Sequence, residues 1–268
     1  MKLPSALVAL FGGSALLGCT PSPPAADRND APTADAARTA FVEDLSRRTF
    51  DYFWETTDVE RCLAPDRWPS NPFSSIAATG FAITAYAVGA ERGYVTREQA
   101  ADRTLKCVEF YWTAPQGPGT TGISGHKGFF YHFLRNDDGT RYRDTELSTV
   151  DTTLLLGGIL FAQAYYDRDD PTEAQIRNFA EKIYRRVDWT FVQRGNSRIP
   201  SANGGSGKAI AMGWYPERGQ GGDVGTHDWV GFNEGMLVYI LAAGSPTPPI
   251  ALTLAMDMAA IPTAVPFA

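Results

Sequence analysis

Three carboxylates fall within the stretch RDTELSTVD, as Asp144, Glu146 and Asp151, directly ahead of the apolar run TTLLLGGILFAQAYY. A second group, HDWVGFNEG (His227 to Gly235), sets Glu234 and Asn233 beside Trp229 and Phe232, with Trp214 and Tyr215 upstream in GWYPE. Carboxylates separated along the chain but brought to one cleft do acid–base work: one protonates a leaving oxygen while the other activates water or attacks carbon. Rings beside carboxylates and amides suit a sugar, whose C–H faces stack on aromatics while its hydroxyls need polar partners. The bland alternative is strong for the first group. Acids near a helix N-terminus gain about 0.3–1 kcal/mol each from the unpaired N–H groups and the macrodipole. One cap needs only one such residue, however, and Ser148 or Thr149 could serve.

Other chemistries find little material. The chain has three His and three Cys with no cluster of the two, so no zinc-type site is visible. DTELSTVD lacks the oxygen-ligand spacing and the mid-loop Gly of a calcium loop. A formal charge of −6 without any run of Lys or Arg argues against nucleic acid as a partner.

The elements that must position these groups read mostly as helices. Apolar spacing marks Phe41–Glu55, Ser74–Gly93, Thr96–Trp112 with a capping box of Thr96 and Gln99, Leu147–Tyr166, Thr172–Val192 behind the Asp170 cap and Pro171, and Phe232–Gly244. The Gly-rich loop between the third and fourth holds an aromatic patch, Phe129 to Phe133, followed by the turn signal NDDG, and reads as a β-hairpin. Helix pairs joined alternately by short turns and by long loops rich in aromatics and acids suit a helical toroid whose long loops gather on one rim.

At the N-terminus, MKLPSALVALFGGSALLGC has a Lys, an apolar stretch too short for a stable span and small residues before Cys19. It reads as an export signal, residues 1–19, whose LLGC ending resembles the lipobox of bacterial lipoproteins and would leave Cys19 lipidated. A Pro/Ala-rich tether, residues 20–36, follows. Thr20 after the Cys resembles lipoproteins sorted to the outer membrane, on its periplasmic face or at the cell surface. Cys62 and Cys107 remain; in an oxidising compartment they can pair, and two buried thiols are at least as good a reading.

From FVEDLSRRTFDYFWE through SIAATGFAITAYAVGAERGYVTREQA, KGFFYHFL, ELSTVDTTLLLGGILFAQAYYD, IYRRVDW and GFNEGMLVYILAAGSPT, residues 37–248, the chain resembles the bacterial glucoamylase-like family that includes endo-β-1,2-glucanases. The resemblance implies an all-α fold, an (α/α)6 toroid, and inverting hydrolysis of β-1,2-linked glucan without a cofactor. It places Glu146 and Glu234 in the family's cleft as the catalytic pair, with Glu146 as the proton donor. Asp144 and Asp151 are expected to hold sugar hydroxyls or water. Trp214, Trp229, Asn233, Tyr131 and His132 complete the expected substrate contacts. Six helices are half of what a closed toroid needs, and the tail 249–268 carries one charge and none of the family's aromatics, as a shifted frame or truncation would. An inactive fragment is therefore one expectation. An exo-acting β-glucan hydrolase on the same fold and a non-catalytic surface glycan-binding lipoprotein are the others.

Overall fold

A computed structural model describes residues 34–194, 209–218, 227–229 and 233–247. Cys19, the signal segment 1–19 and the tail 249–268 lie outside the described residues, as does Phe232. Two compact units divide the chain, Met1–Phe41 and Val42–Ala268. Of the first only the opening of helix α1 (Ala34–Thr56) is described, and the site belongs wholly to the second. The helix is described from Ala34, inside the stretch read as tether, where Ala34, Ala36, Ala37 and Arg38 favour helix and Asp35 suits the first turn.

Behind α1 come α2 (Ile76–Glu91), α3 (Arg97–Thr113), α4 (Thr149–Tyr165), α5 (Pro171–Arg186) and α6 (Gly235–Ala243). Their starts are written locally. Ser75 accepts from the Ala78 amide, and Thr96 and Gln99 form the reciprocal capping box. Asp170 accepts from the amides of Thr172 and Glu173 ahead of Pro171. The fifth helix ends at Arg186, short of the expected Val192, and Trp189–Val192 continues as a 3-10 turn.

The helices form two layers: α4 packs broadly on α2 and touches α6, while α3 and α5 pack on each other behind them. This is the inner and outer layering of an (α/α) toroid. The helices α2 and α4 are apolar nearly all round, and Ile76, Ile83, Leu155, Leu156 and Ile159 are fully buried, each stabilising by about 1.5–3 kcal/mol. They approach until backbones touch. A Cβ on Gly158 would sit 2.2 Å from the Gly80 oxygen, and one on Gly80 would sit 2.4 Å from the Leu154 oxygen, so both positions need a residue without a side chain. Phe81 and Val88 on α2, Phe161 on α4 and Ile240 on α6 remain exposed. Cys62 and Cys107 are joined in a disulfide that ties the loop after α1 to the middle of α3.

Strands are short: β1 (Ser74–Ser75), β2 (Gly125–His126), β3 (Phe129–Tyr131), β4 (Phe133–Leu134), β5 (Leu147–Ser148), β6 (Gln193–Arg194), β7 (Ala209–Ile210) and β8 (Gly213–Trp214). The expected hairpin is β2–β3, and its two-residue turn is Lys127–Gly128, both at positive φ, rather than NDDG. The NDDG segment instead closes a second turn, with the Arg135 amide donating to the Thr140 oxygen. Four strands form one sheet in the order β2-β3-β5-β8. Leu147 and Ser148, expected inside the fourth helix, are thus the strand β5, and the helix starts two residues later behind its Ser148 cap.

Candidate active site

The register of the small sheet builds the site. Tyr131 pairs with Leu147 in the antiparallel β3–β5 ladder, so His132 and Glu146 stand opposite each other one step on, and the His132 amide donates to the Glu146 carbonyl at 3.0 Å. Cross-strand neighbours share a face. His132 Nδ1 lies 2.7 Å from Glu146 Oε1, and His132 Nε2 lies 3.4 Å from Asp151 Oδ1. Asp151, in the first turn of α4, also accepts from the Ser148 hydroxyl at 2.5 Å. From the next strand, β8, Gly213 leaves room for Glu146: a Cβ there would meet Glu146 Cγ at 3.1 Å and the Leu147 oxygen at 2.9 Å.

A cleft of about 390 Å³ opens over this ladder, and Glu146, His132, Asp151, Tyr215, Trp229 and Glu234 are among its walls. Glu146 and Glu234 therefore share one cavity, although 88 residues apart in sequence (234 − 146). Trp229 is only 7% exposed; its indole N–H donates to Thr149 Oγ1 at 2.9 Å, and its ring lies against Gly235, where a Cβ would come within 2.6 Å. Thr149 in turn donates to the carbonyls of the Ala211–Met212 pair, so the base of α4 fastens both loop segments of the cleft.

The electrostatics distinguish the acids. Burial alone would raise the Glu146 pKa, but the His132 hydrogen bond, its own backbone amide and the charges of His132 and Arg141 outweigh it, leaving the carboxyl below the usual glutamate range. Burial disfavours the His132 cation, yet the bond to Glu146 and the charges of Asp151, Glu146 and Asp66 raise its pKa above the ordinary value. Arg141 stands behind Glu146 with its side chain buried, donating to both oxygens of Glu217 and to the Thr145 carbonyl. An acid catalyst needs a raised pKa. The proton-donor role expected for Glu146 thus meets the wrong shift, because the imidazole beside it stabilises the anion.

Several expected contacts point elsewhere. Tyr131 is fully buried beneath Arg141, whose guanidinium lies 4.6 Å from its ring centre, and burial pushes its phenol up to about 12. Trp214 is 1% exposed and packs on His126 and Phe191, inside the core. Alternation along a strand puts neighbouring side chains on opposite faces, so the next residue, Tyr215, is the one in the cleft. Asp144 is exposed in a turn and does not line the cleft, although its charge acts on the cleft residue Tyr215. Asn233 accepts from the Gly235 amide at 2.9 Å, a capping contact at the start of α6, and is likewise not a wall residue. His227 and Met212, on walls formed by loop segments, carried no signal beyond adjacency to singled-out residues.

Among the described residues, His132, Glu146 and Asp151 are the one group of His, Cys, Asp or Glu whose donor atoms come close enough, within 4.8 Å of one another, to suggest a metal ion. The nearest approaches are of Glu146 to Nδ1 at 2.7 Å and of Asp151 to Nε2 at 3.4 Å, so each carboxylate already has a ring nitrogen beside it. The group is held by a hydrogen bond between His132 and Glu146, an ion-pair contact between His132 and Asp151, and the Ser148 hydroxyl on Asp151.

No family profile matches the chain. The chain is 31% identical to a presumptive glucoamylase from Bacteroides uniformis, whose crystal structure it matches with a TM-score of 0.65 over 82% of this chain and 48% of that one. It matches the crystal structure of a β-1,2-glucanase from Parabacteroides distasonis at 25% identity and a TM-score of 0.66, over 82% of this chain and 29% of that one. The chain is a relative of the glucoamylase-like proteins that include β-1,2-glucanases. A curated relative, the exo β-1,2-glucooligosaccharide sophorohydrolase (non-reducing end) of Parabacteroides distasonis, is 26% identical over 231 residues, 82% of this chain and 29% of that protein. The chain thus spans about half of the Bacteroides uniformis structure and less than a third of the curated relative.

Proposed function

We propose that the chain carries the acid-lined half of a glycoside hydrolase cleft that acts on β-1,2-linked glucooligosaccharides by inversion. The observation that supports this most directly is the sharing of one cavity by Glu146 and Glu234 with Tyr215 and Trp229 in its walls. Glu146, kept ionised by His132, is the base: it takes a proton from water as the water oxygen attacks the anomeric carbon. Glu234 supplies the proton to the departing glycosidic oxygen, so the C–O bond breaks with the proton balance closed between water and leaving group. Tyr215 and the exposed edge of Trp229 carry sugar contacts, with Asp151 as a hydroxyl partner.

The exo mode is the second reading, favoured by the similarity to the sophorohydrolase. An exported, lipid-anchored protein is part of the same proposal, supported by the signal-like N-terminus and by the Cys62–Cys107 disulfide, which suits an oxidising compartment. Incubation with linear β-1,2-glucan tests the reading. New reducing ends are expected, with sophorose alone marking exo action and mixed lengths marking endo action; Glu146→Gln and Glu234→Gln should each lower the rate at least about 10²-fold. Binding without turnover would leave a glycan-binding protein. Near-native rates in both variants would overturn the pair.

A further inference from the structure

We infer that His132 is a two-sided imidazolium clamp, gripping Glu146 at one ring nitrogen and Asp151 at the other, and so a positioning residue that fixes the base of the proposed reaction. The inference deepens the hydrolase reading and rests on it for its catalytic meaning, but the clamp itself is a property of the folded chain.

The geometry carries it. Glu146 Oε1 lies 2.7 Å from Nδ1 and Asp151 Oδ1 lies 3.4 Å from Nε2. A neutral imidazole has a single N–H, so it would turn a lone pair toward one of the two carboxylates; only the cation offers an N–H to both. The shorter contact has the length of a charge-assisted bond. The chain of donors continues, since the Ser148 hydroxyl holds the second oxygen of Asp151. The ring cannot swing away freely. Its backbone donates to the Glu146 carbonyl and accepts from the Ile76 amide at the start of α2, and the Phe133 ring stacks on it at 3.8 Å.

The charges that face the ring agree in sign. Glu146 approaches from the segment before β5, Asp151 from α4 and Asp66 from the loop before β1, all anionic. Arg141 acts on Glu146 from behind and is spent on Glu217, while Tyr215, His227 and Glu234 line the same cleft. Among the described residues the ring thus lies between carboxylates, with no cation among the charges that act on it. Holding Glu146 on two sides, by the clamp and by the room left at Gly213, fixes the oxygen that must meet the attacking water.

The sign of the pH dependence follows. The clamp is closed while His132 is protonated, below its raised pKa, and opens as pH rises through that value, leaving Glu146 and Asp151 without their shared partner. Activity should therefore fall on the alkaline side when His132 loses its proton, and on the acid side when Glu146 gains one.

The test is an NMR titration of the intact chain, whose three histidines give few ring signals; the His132 signal is assigned by its loss in His132→Asn. His132 is expected to titrate above the free-histidine value of 6.5, with both nitrogens protonated by ¹⁵N shift near neutral pH. In His132→Asn, which keeps a donor near the Nδ1 position but no charge, the Glu146 carboxyl should titrate higher than in the wild type. Its rate should drop by about 10- to 100-fold, with the acid limb of the pH profile moved upward and the alkaline limb removed. A wild-type His132 that titrates at or below 6.5 overturns the clamp whatever the variant does. So does a variant whose profile is merely scaled down. A high His132 pKa in a chain without hydrolase turnover keeps the clamp and sinks the hydrolase reading instead.

Discussion

Substituting Gly158 by Ala tests whether the contact between α2 and α4 sets the stability of this unit. The added Cβ would meet the Gly80 oxygen at 2.2 Å, with Gly80 carbons at 2.8 Å, and these are backbone atoms that no rotamer change can move. Relief requires the two helices to separate by roughly 1 Å, at the cost of dispersion contacts along the whole crossing. Overpacking of this kind costs about 1–3 kcal/mol, and backbone on backbone belongs at the upper end. Against that, Ala gains about 1 kcal/mol of helix propensity over Gly. The balance is a loss of about 2 kcal/mol, which for a domain of this size lowers Tm by about 4–8 °C. The matched control is the preceding residue, since a Cβ on Gly157 meets nothing within 4 Å. Gly157→Ala should therefore keep the propensity gain and raise Tm by about 2–4 °C. Both are read by thermal denaturation followed by circular dichroism. If Gly158→Ala melted as high as Gly157→Ala, the reasoning from close approach would be wrong.

Three further outcomes can be checked on the same material. Reducing the Cys62–Cys107 bond, which closes a sequence separation of 45 residues, should cost about 4 kcal/mol by the chain-entropy relation, seen as a lower melting temperature with reductant in the wild type and no reductant effect in Cys62→Ser/Cys107→Ser. Trp214→Ala should destabilise by about 3–5 kcal/mol because it empties the core, whereas Tyr215→Ala should leave the melt nearly unchanged and weaken β-1,2-glucooligosaccharide binding measured by calorimetry. Glu173, buried against Arg97 at 2.7 Å, has its pKa lowered chiefly by that hydrogen bond. The pair should stabilise fully above the ordinary glutamate range and lose its contribution as pH falls through the depressed value, so Glu173→Gln should flatten the acid side of a stability-against-pH curve.

Helix starts were legible because their causes are local. The box of Thr96 and Gln99, the Asp170–Pro171 entry and the Gly244 stop each act within one turn, and the apolar spacing of the helices repeats every three or four residues. The placement of acids in two loop-to-helix junctions was likewise open to reading, since charge and aromatic content need no partner to be seen. The pairing that makes the site was not. Strands of two residues are too short to show an alternating pattern, so nothing in ELSTVD says that Leu147 and Ser148 pair with β3 and β8 instead of opening α4. Once that register exists, it alone sets His132 opposite Glu146, turns Trp214 inward and Tyr215 outward, and requires Gly213 beside the carboxylate. The sequence by itself determined which residues could carry charge and which segments would coil. Only the tertiary structure decided that Glu146 is half-buried yet keeps a lowered pKa, because a histidine fourteen residues away, brought to hydrogen-bonding distance by strand pairing, offsets the burial.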